Sequence, residues 1–141
     1  MQRDPDIDFV VPAKLFYLPA VGHFAKALFS RHPLLRDKEE FLAYYLELAV
    51  YEACANVVRH AYEEPQEGKL RLRIWFNSDR VVIQVIDFGP GFDPQSIPDP
   101  HPENPSEGGM GLYIIRAAVD RFSYSPSQQE GNVLQVEKYL T

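Results

Sequence analysis

Three short stretches of the chain combine residue types that can do chemistry. Glu52 and Asn56 stand four apart in a segment with helical character. Asp87-Phe88-Gly89-Pro90-Gly91 follows a strongly apolar strand, and Gly108-Gly109-Met110-Gly111-Leu112 opens a later helix. Side chains at i and i+4 project from one helix face, and His60 extends the same row by another four residues. An Asn oxygen is a hard ligand of the kind Mg²⁺ shares with phosphates and water. A carboxylate one turn away is placed to orient or deprotonate a nucleophile near a terminal phosphate. Taken alone, the Glu52/Asn56 pair is better read as a solvated helix face, and His60 as a packed or capping histidine.

Asp87, at the end of a buried strand, is harder to assign to structure alone. A carboxylate there costs several kcal/mol unless it is paired or hydrogen-bonded. Adenine's exocyclic amino group is a donor that would satisfy it, and Gly89 and Gly91 leave room for a flat ring to approach the backbone. A plain β-turn accounts for the same residues about equally well. The glycine run at 108–111 offers backbone N–H groups at a helix start, which attract anions, although a flexible hinge would look similar. It lacks the Lys-Ser/Thr ending of a P-loop and does not follow a strand directly as a Rossmann loop does. The four His residues and Cys54 show no zinc-ligand spacing. The order of the pieces is more specific than any one of them, and in that order they describe an ATP site.

The elements that must position these residues can be read from periodicity. Residues 14–18 are expected to form a short strand between Pro12 and Pro19, and residues 20–31 a helix with Val21, Phe24, Ala25 and Leu28 on one side. Asp37 and Glu40 have the spacing of a capping box, which predicts a second helix running to about Tyr62. Its stripe contains Leu42, Tyr45, Leu46, Ala49, Ala53 and Val57, and the alanines imply close approach to a sheet. Leu70, Leu72, Ile74 and Phe76 alternate with mostly basic residues, and the turn at 77–80 predicts that 81–86 pairs back as a hairpin strand. Residues 89–109 hold six of the twelve prolines and no periodicity, the mark of a functional or disordered loop. A short helix through Leu112, Ile115 and Val119 follows, then a hairpin of 122–125 and 133–140 around Gly131-Asn132. The order β-α-α-β-β-loop-α-β-β predicts an α+β two-layer sandwich, with a mixed, mostly antiparallel sheet and helices on one face.

Composition narrows the function. With 141 residues the chain is expected to be a single domain, 1–141. A net charge of −6 argues against a nucleic-acid partner. Lys69, Arg71 and Arg73 cluster, but their alternation favours the solvent face of a strand over a binding patch. The single Cys54 fits a reducing compartment and a small buried residue rather than a nucleophile. The polar, acidic start has no signal-peptide character, and no apolar run reaches the roughly 20 residues of a membrane span, so a cytoplasmic location is expected.

The constellation resembles the GHKL (Bergerat-fold) ATPase superfamily, which includes gyrase B, the large heat-shock chaperone, sensor histidine kinases and MutL proteins. Within it, the chain is most similar to bacterial anti-sigma-factor serine/threonine kinases. The resemblance is carried by Glu52-Ala53-Cys54-Ala55-Asn56 with His60-Ala61-Tyr62, by Asp87-Phe88-Gly89-Pro90-Gly91-Phe92, and by Glu107-Gly108-Gly109-Met110-Gly111-Leu112. It implies Glu52 as catalytic base, Asn56 as Mg²⁺ ligand and Asp87 as the adenine acceptor, with Gly89 and Gly91 forming the pocket. It also implies that the run Gly108, Gly109, Met110, Gly111 and Leu112 borders the phosphates beneath a lid at about 92–107. ATP and Mg²⁺ are the implied cofactors. A sigma factor and an anti-anti-sigma antagonist are the implied partners, exchanged in a partner switch, and pairing of two copies is implied as well. Between Asp87 and Arg116 there is no Lys or Arg, so Mg²⁺ and backbone amides, or a cation from elsewhere, would have to neutralise the terminal phosphate. Two other readings stay open: a nucleotide-binding module that sequesters a partner without kinase activity, and a stand-alone histidine-kinase-like ATPase domain.

Overall fold

Ile7, Phe9 and Val11 pack towards the core while Asp8 and Val10 face outward, and this alternation forms the first strand, β1 (Ile7–Pro12). The computed structural model describes residues 3–38, 41–60, 68–89, 115–127 and 131–140. The strand expected at 14–18 is therefore displaced upstream. Residues Leu15–Tyr17 form a 3₁₀ turn instead, closed by the Tyr17 N–H donating to the Lys14 carbonyl. The reason is Pro19, which suits the first turn of a helix, where its missing N–H has no intrahelical partner to lose. Helix α1 (Leu18–Arg31) accordingly starts two residues earlier than expected. Pro12 is tolerated because β1 lies at the edge of the sheet.

A turn follows α1, with Leu35, Arg36 and Lys38 each donating to a carbonyl three residues back. Asp37 belongs to this turn and does not cap the next helix; Glu40 lies outside the described residues. Helix α2 (Leu42–His60) begins later, and the Tyr45 N–H to Phe41 carbonyl bond opens its ladder. Leu46, Ala49, Val50, Ala53, Cys54 and Val57 are all essentially buried along it. Burying each Val or Leu contributes about 1.5–3 kcal/mol. Ala49 and Ala53 are completely buried along this stripe.

Strands β2 (Lys69–Phe76) and β3 (Arg80–Asp87) form the expected hairpin, and β4 (Arg121–Ser125) and β5 (Asn132–Tyr139) a second one. The sheet order is β1-β2-β3-β5-β4, and every pairing among the described strands is antiparallel. The architecture is α+β, and the parallel pairing that a mixed sheet would allow is not found among those strands. Leu70, Leu72, Ile74 and Phe76 join Val81, Ile83, Val85, Leu134 and Val136 in one core with α1 and α2. One sheet face is thereby covered by helices.

The other face is laced with polar contacts. Arg71 grips both oxygens of Asp8 at 2.7 and 2.6 Å, and the Arg73 guanidinium lies 5.1 Å from the centre of the Trp75 ring. Arg71 and Arg73 thus behave as a solvated strand face with local partners. Trp75 is buried, though on this face and not among the helices: residues before β1 cover it, and its indole N–H donates to the Arg3 carbonyl at 2.7 Å.

Candidate functional site

Strand parity places Asp87 on the side of β3 that faces the helices, in line with Val81, Ile83 and Val85. The register sets it directly opposite Asn132, the first residue of β5. Both are almost fully buried, at 1% and 2% exposure. The Asn132 Nδ2 donates to Asp87 Oδ1 at 3.0 Å, and the Gly89 N–H donates to the same oxygen at 2.9 Å. Asp87 Oδ2 has no hydrogen-bond partner among the described residues. Burial pushes the Asp87 carboxyl up from the ordinary carboxylate value, and the Asn132 and Gly89 donors oppose that rise.

Glu52 and Asn56 project from one face of α2, as their spacing requires. Glu52 is half-buried. Asn56 is only 1% exposed, and neither Nδ2 nor Oδ1 finds a partner among the described residues. An orphaned buried polar group costs about 1–3 kcal/mol, and native structures hold few of them. Asn56 carries two such atoms and Asp87 one, all on elements that border the space between α2 and the sheet. An acceptor at the end of β3, together with an amide and a carboxylate on α2, suits a ligand with an amino donor at one end and metal-bound phosphates at the other. The donor set fits both an adenine ring and Mg²⁺.

His60 ends α2, and its side chain lies outside the described residues, as do Gly91, Gly108, Gly109, Met110, Gly111, Leu112 and the expected lid. Gly89 is described and serves as a backbone donor. Cys54 is fully buried and its thiol is pushed up to about 12, which fits the packing role expected of it. Sequence reasoning misses Asn132. It takes Gly131-Asn132 for the tip of a hairpin, whereas Asn132 already belongs to the ladder. Only the strand register shows that Asn132 meets Asp87.

The histidine kinase-like ATPase domain family matches residues 11–138. This chain belongs to that family. Among similar proteins, the serine-protein kinase RsbW of Bacillus subtilis strain 168 is 32% identical over 149 residues, covering 99% of this chain and 89% of the relative. The RsbW of Oceanobacillus iheyensis is 33% identical, covering 95% and 86%. Among solved structures, the blue-light activated histidine kinase of Erythrobacter litoralis EL346 superposes with a TM-score of 0.58 at 19% identity. That superposition covers 89% of this chain and 41% of the histidine kinase, and it establishes a shared fold.

Proposed function

We propose that the chain is an ATP-dependent serine/threonine protein kinase and acts as an anti-sigma regulatory factor. The observation that carries this reading is the set of orphaned buried atoms, Asn56 Nδ2 and Oδ1 and Asp87 Oδ2, at the positions where the sequence resembles the ATPase motifs. The kinase class follows the RsbW relatives, each matched over nearly the whole chain at 32–33% identity. In this reading Asp87 Oδ2 accepts from the adenine amino group. Asn56 Oδ1 holds Mg²⁺, and Glu52 takes the proton from the attacking serine or threonine hydroxyl. The metal, when bound, neutralises charge on the phosphates. Gly91 completes the base pocket, and Gly108, Gly109, Met110, Gly111 and Leu112 border the phosphates under a lid at about 92–107. Residues 1–141 act as one such domain.

The partners of this reading are a sigma factor, which the kinase holds, and an antagonist protein, which it phosphorylates. The setting is the cytoplasm; no helix among the described residues is long and apolar enough to cross a membrane. The test is transfer of labelled γ-phosphate from ATP to a co-encoded antagonist. The expected product is an acid-stable phosphoserine or phosphothreonine that Glu52→Ala no longer forms. An acid-labile phosphohistidine would make the protein a histidine kinase. Partner capture with no transfer in the wild type would reduce it to a sequestering module.

A further inference from the structure

Asn132 makes contacts that neither the motif residues nor the family resemblance accounts for. Its Nδ2 donates to Asp87 Oδ1 at 3.0 Å and to the Gly89 carbonyl at 2.9 Å, while its Oδ1 accepts the Ser127 N–H at 3.0 Å. These partners fix the amide's orientation. Flipped, its oxygen would face two acceptors and its NH₂ group a donor. Asn132 therefore ties together the end of β3, the residue that opens the following loop, and the chain just after β4. Gly131 makes that geometry accessible: its φ is +94°, and a Cβ there would lie 2.9 Å from both Ile86 Cγ2 and Phe88 Cε1.

We infer that Asn132 is the positioning residue that sets base selectivity, by occupying one oxygen of Asp87 and reserving the other for an exocyclic amino donor. The inference rests on the nucleotide-site reading above and adds to it. With Asn132 Nδ2 and the Gly89 N–H both on Oδ1, the carboxylate cannot exchange its two oxygens without breaking two hydrogen bonds. Oδ2 is then a pure acceptor while Asp87 is ionised. An amino group at position 6 of a purine satisfies it, whereas a keto oxygen there would set acceptor against acceptor. Burial favours the protonated carboxyl, and Asn132 is one of the two donors that oppose it. Without that donor the carboxylate can rotate out of line, which weakens the contact that favours an amino group, or keep a proton and offer it to a keto oxygen. Either change narrows the discrimination.

The experiment compares ATP with inosine triphosphate, which differs in carrying the keto oxygen at that position. Binding of each is measured by calorimetry on the full chain for wild type, Asn132→Leu and Asn132→Ser, with thermal melts confirming that each variant folds. The wild type should prefer ATP by at least about tenfold. Asn132→Leu should shrink that ratio at least about fivefold, and Asn132→Ser, which keeps one donor, should fall between. A purely structural role would lower both affinities together, so an unchanged ratio in the folded variants overturns the inference. If the serine variant alone folds, its ratio decides. A wild type that binds neither nucleotide would instead remove the nucleotide site itself, and this inference with it.

Discussion

Replacing Asp87 with asparagine should stabilise the ligand-free protein at neutral pH, even though it removes a motif residue. Asp87 is 1% exposed, with one oxygen held by two donors and the other unpaired. Leaving that charged oxygen buried and unpaired costs at least about 1–3 kcal/mol. The side-chain amide introduced by Asp87→Asn would keep the two hydrogen bonds at roughly half their strength, and its own unpaired nitrogen would be uncharged. The balance is a gain of about 1 kcal/mol at pH 7, or about 3 °C in Tm for a chain of this size. The sign follows from burial raising the Asp87 pKa. A carboxyl with a raised native pKa binds its proton more tightly folded than unfolded. It therefore favours the fold at acid pH, and that contribution is lost as pH rises through the native value. Asp6 and Asp8 act in the opposite sense: hydrogen bonds from Arg3 and Arg71 hold them below the usual range, so their contribution is lost on acidification. Both proteins share those pairs, so the difference between wild type and Asp87→Asn isolates residue 87. Urea unfolding from pH 3 to 8 is the assay. The gap should be near zero at the acid end and widen towards neutrality. A variant less stable than wild type at pH 7, or a gap independent of pH, would mean that the buried Asp87 charge does not cost the fold stability.

Three further outcomes follow from the same geometry. Asn56→Leu removes two orphaned buried atoms and should raise ligand-free stability by about 1–2 kcal/mol while abolishing Mg²⁺-dependent ATP binding, measured by denaturation and calorimetry. Gly131→Ala should cost about 1–3 kcal/mol in urea unfolding, because φ is +94° and the new Cβ would press on Ile86 and Phe88. Cys54, with its thiol raised to about 12 and fully buried, should resist alkylation at neutral pH until the protein unfolds, as mass spectrometry after iodoacetamide treatment would show.

Much of this fold could be read from local pattern. The β2–β3 hairpin follows from strict alternation at 70–76 and a turn at 77–80, and α2 from its apolar stripe. The failures have local causes. β1 hid behind an acidic start and Pro12, which only an edge position makes compatible with a strand. Asp37 has capping spacing with Glu40, yet Asp37 lies within the turn after α1, whose hydrogen bonds run from His32 to Lys38. In the proposed site, the burial of Asn56 and Asp87 gives structural weight to two residues that motif spacing alone singles out together with Glu52. Asn132 was not legible in the sequence, because its partnership with Asp87 crosses 45 residues and depends on the pairing of β3 with β5.

Calorimetric titration of ATP with Mg²⁺ into wild type, Asn56→Ala and Asp87→Ala decides whether these two residues form a nucleotide site. The wild type should bind about one nucleotide per chain, dependent on Mg²⁺, and both variants should lose that binding while they remain folded. Wild-type affinity retained in either folded variant, or no binding in the wild type, would contradict that assignment.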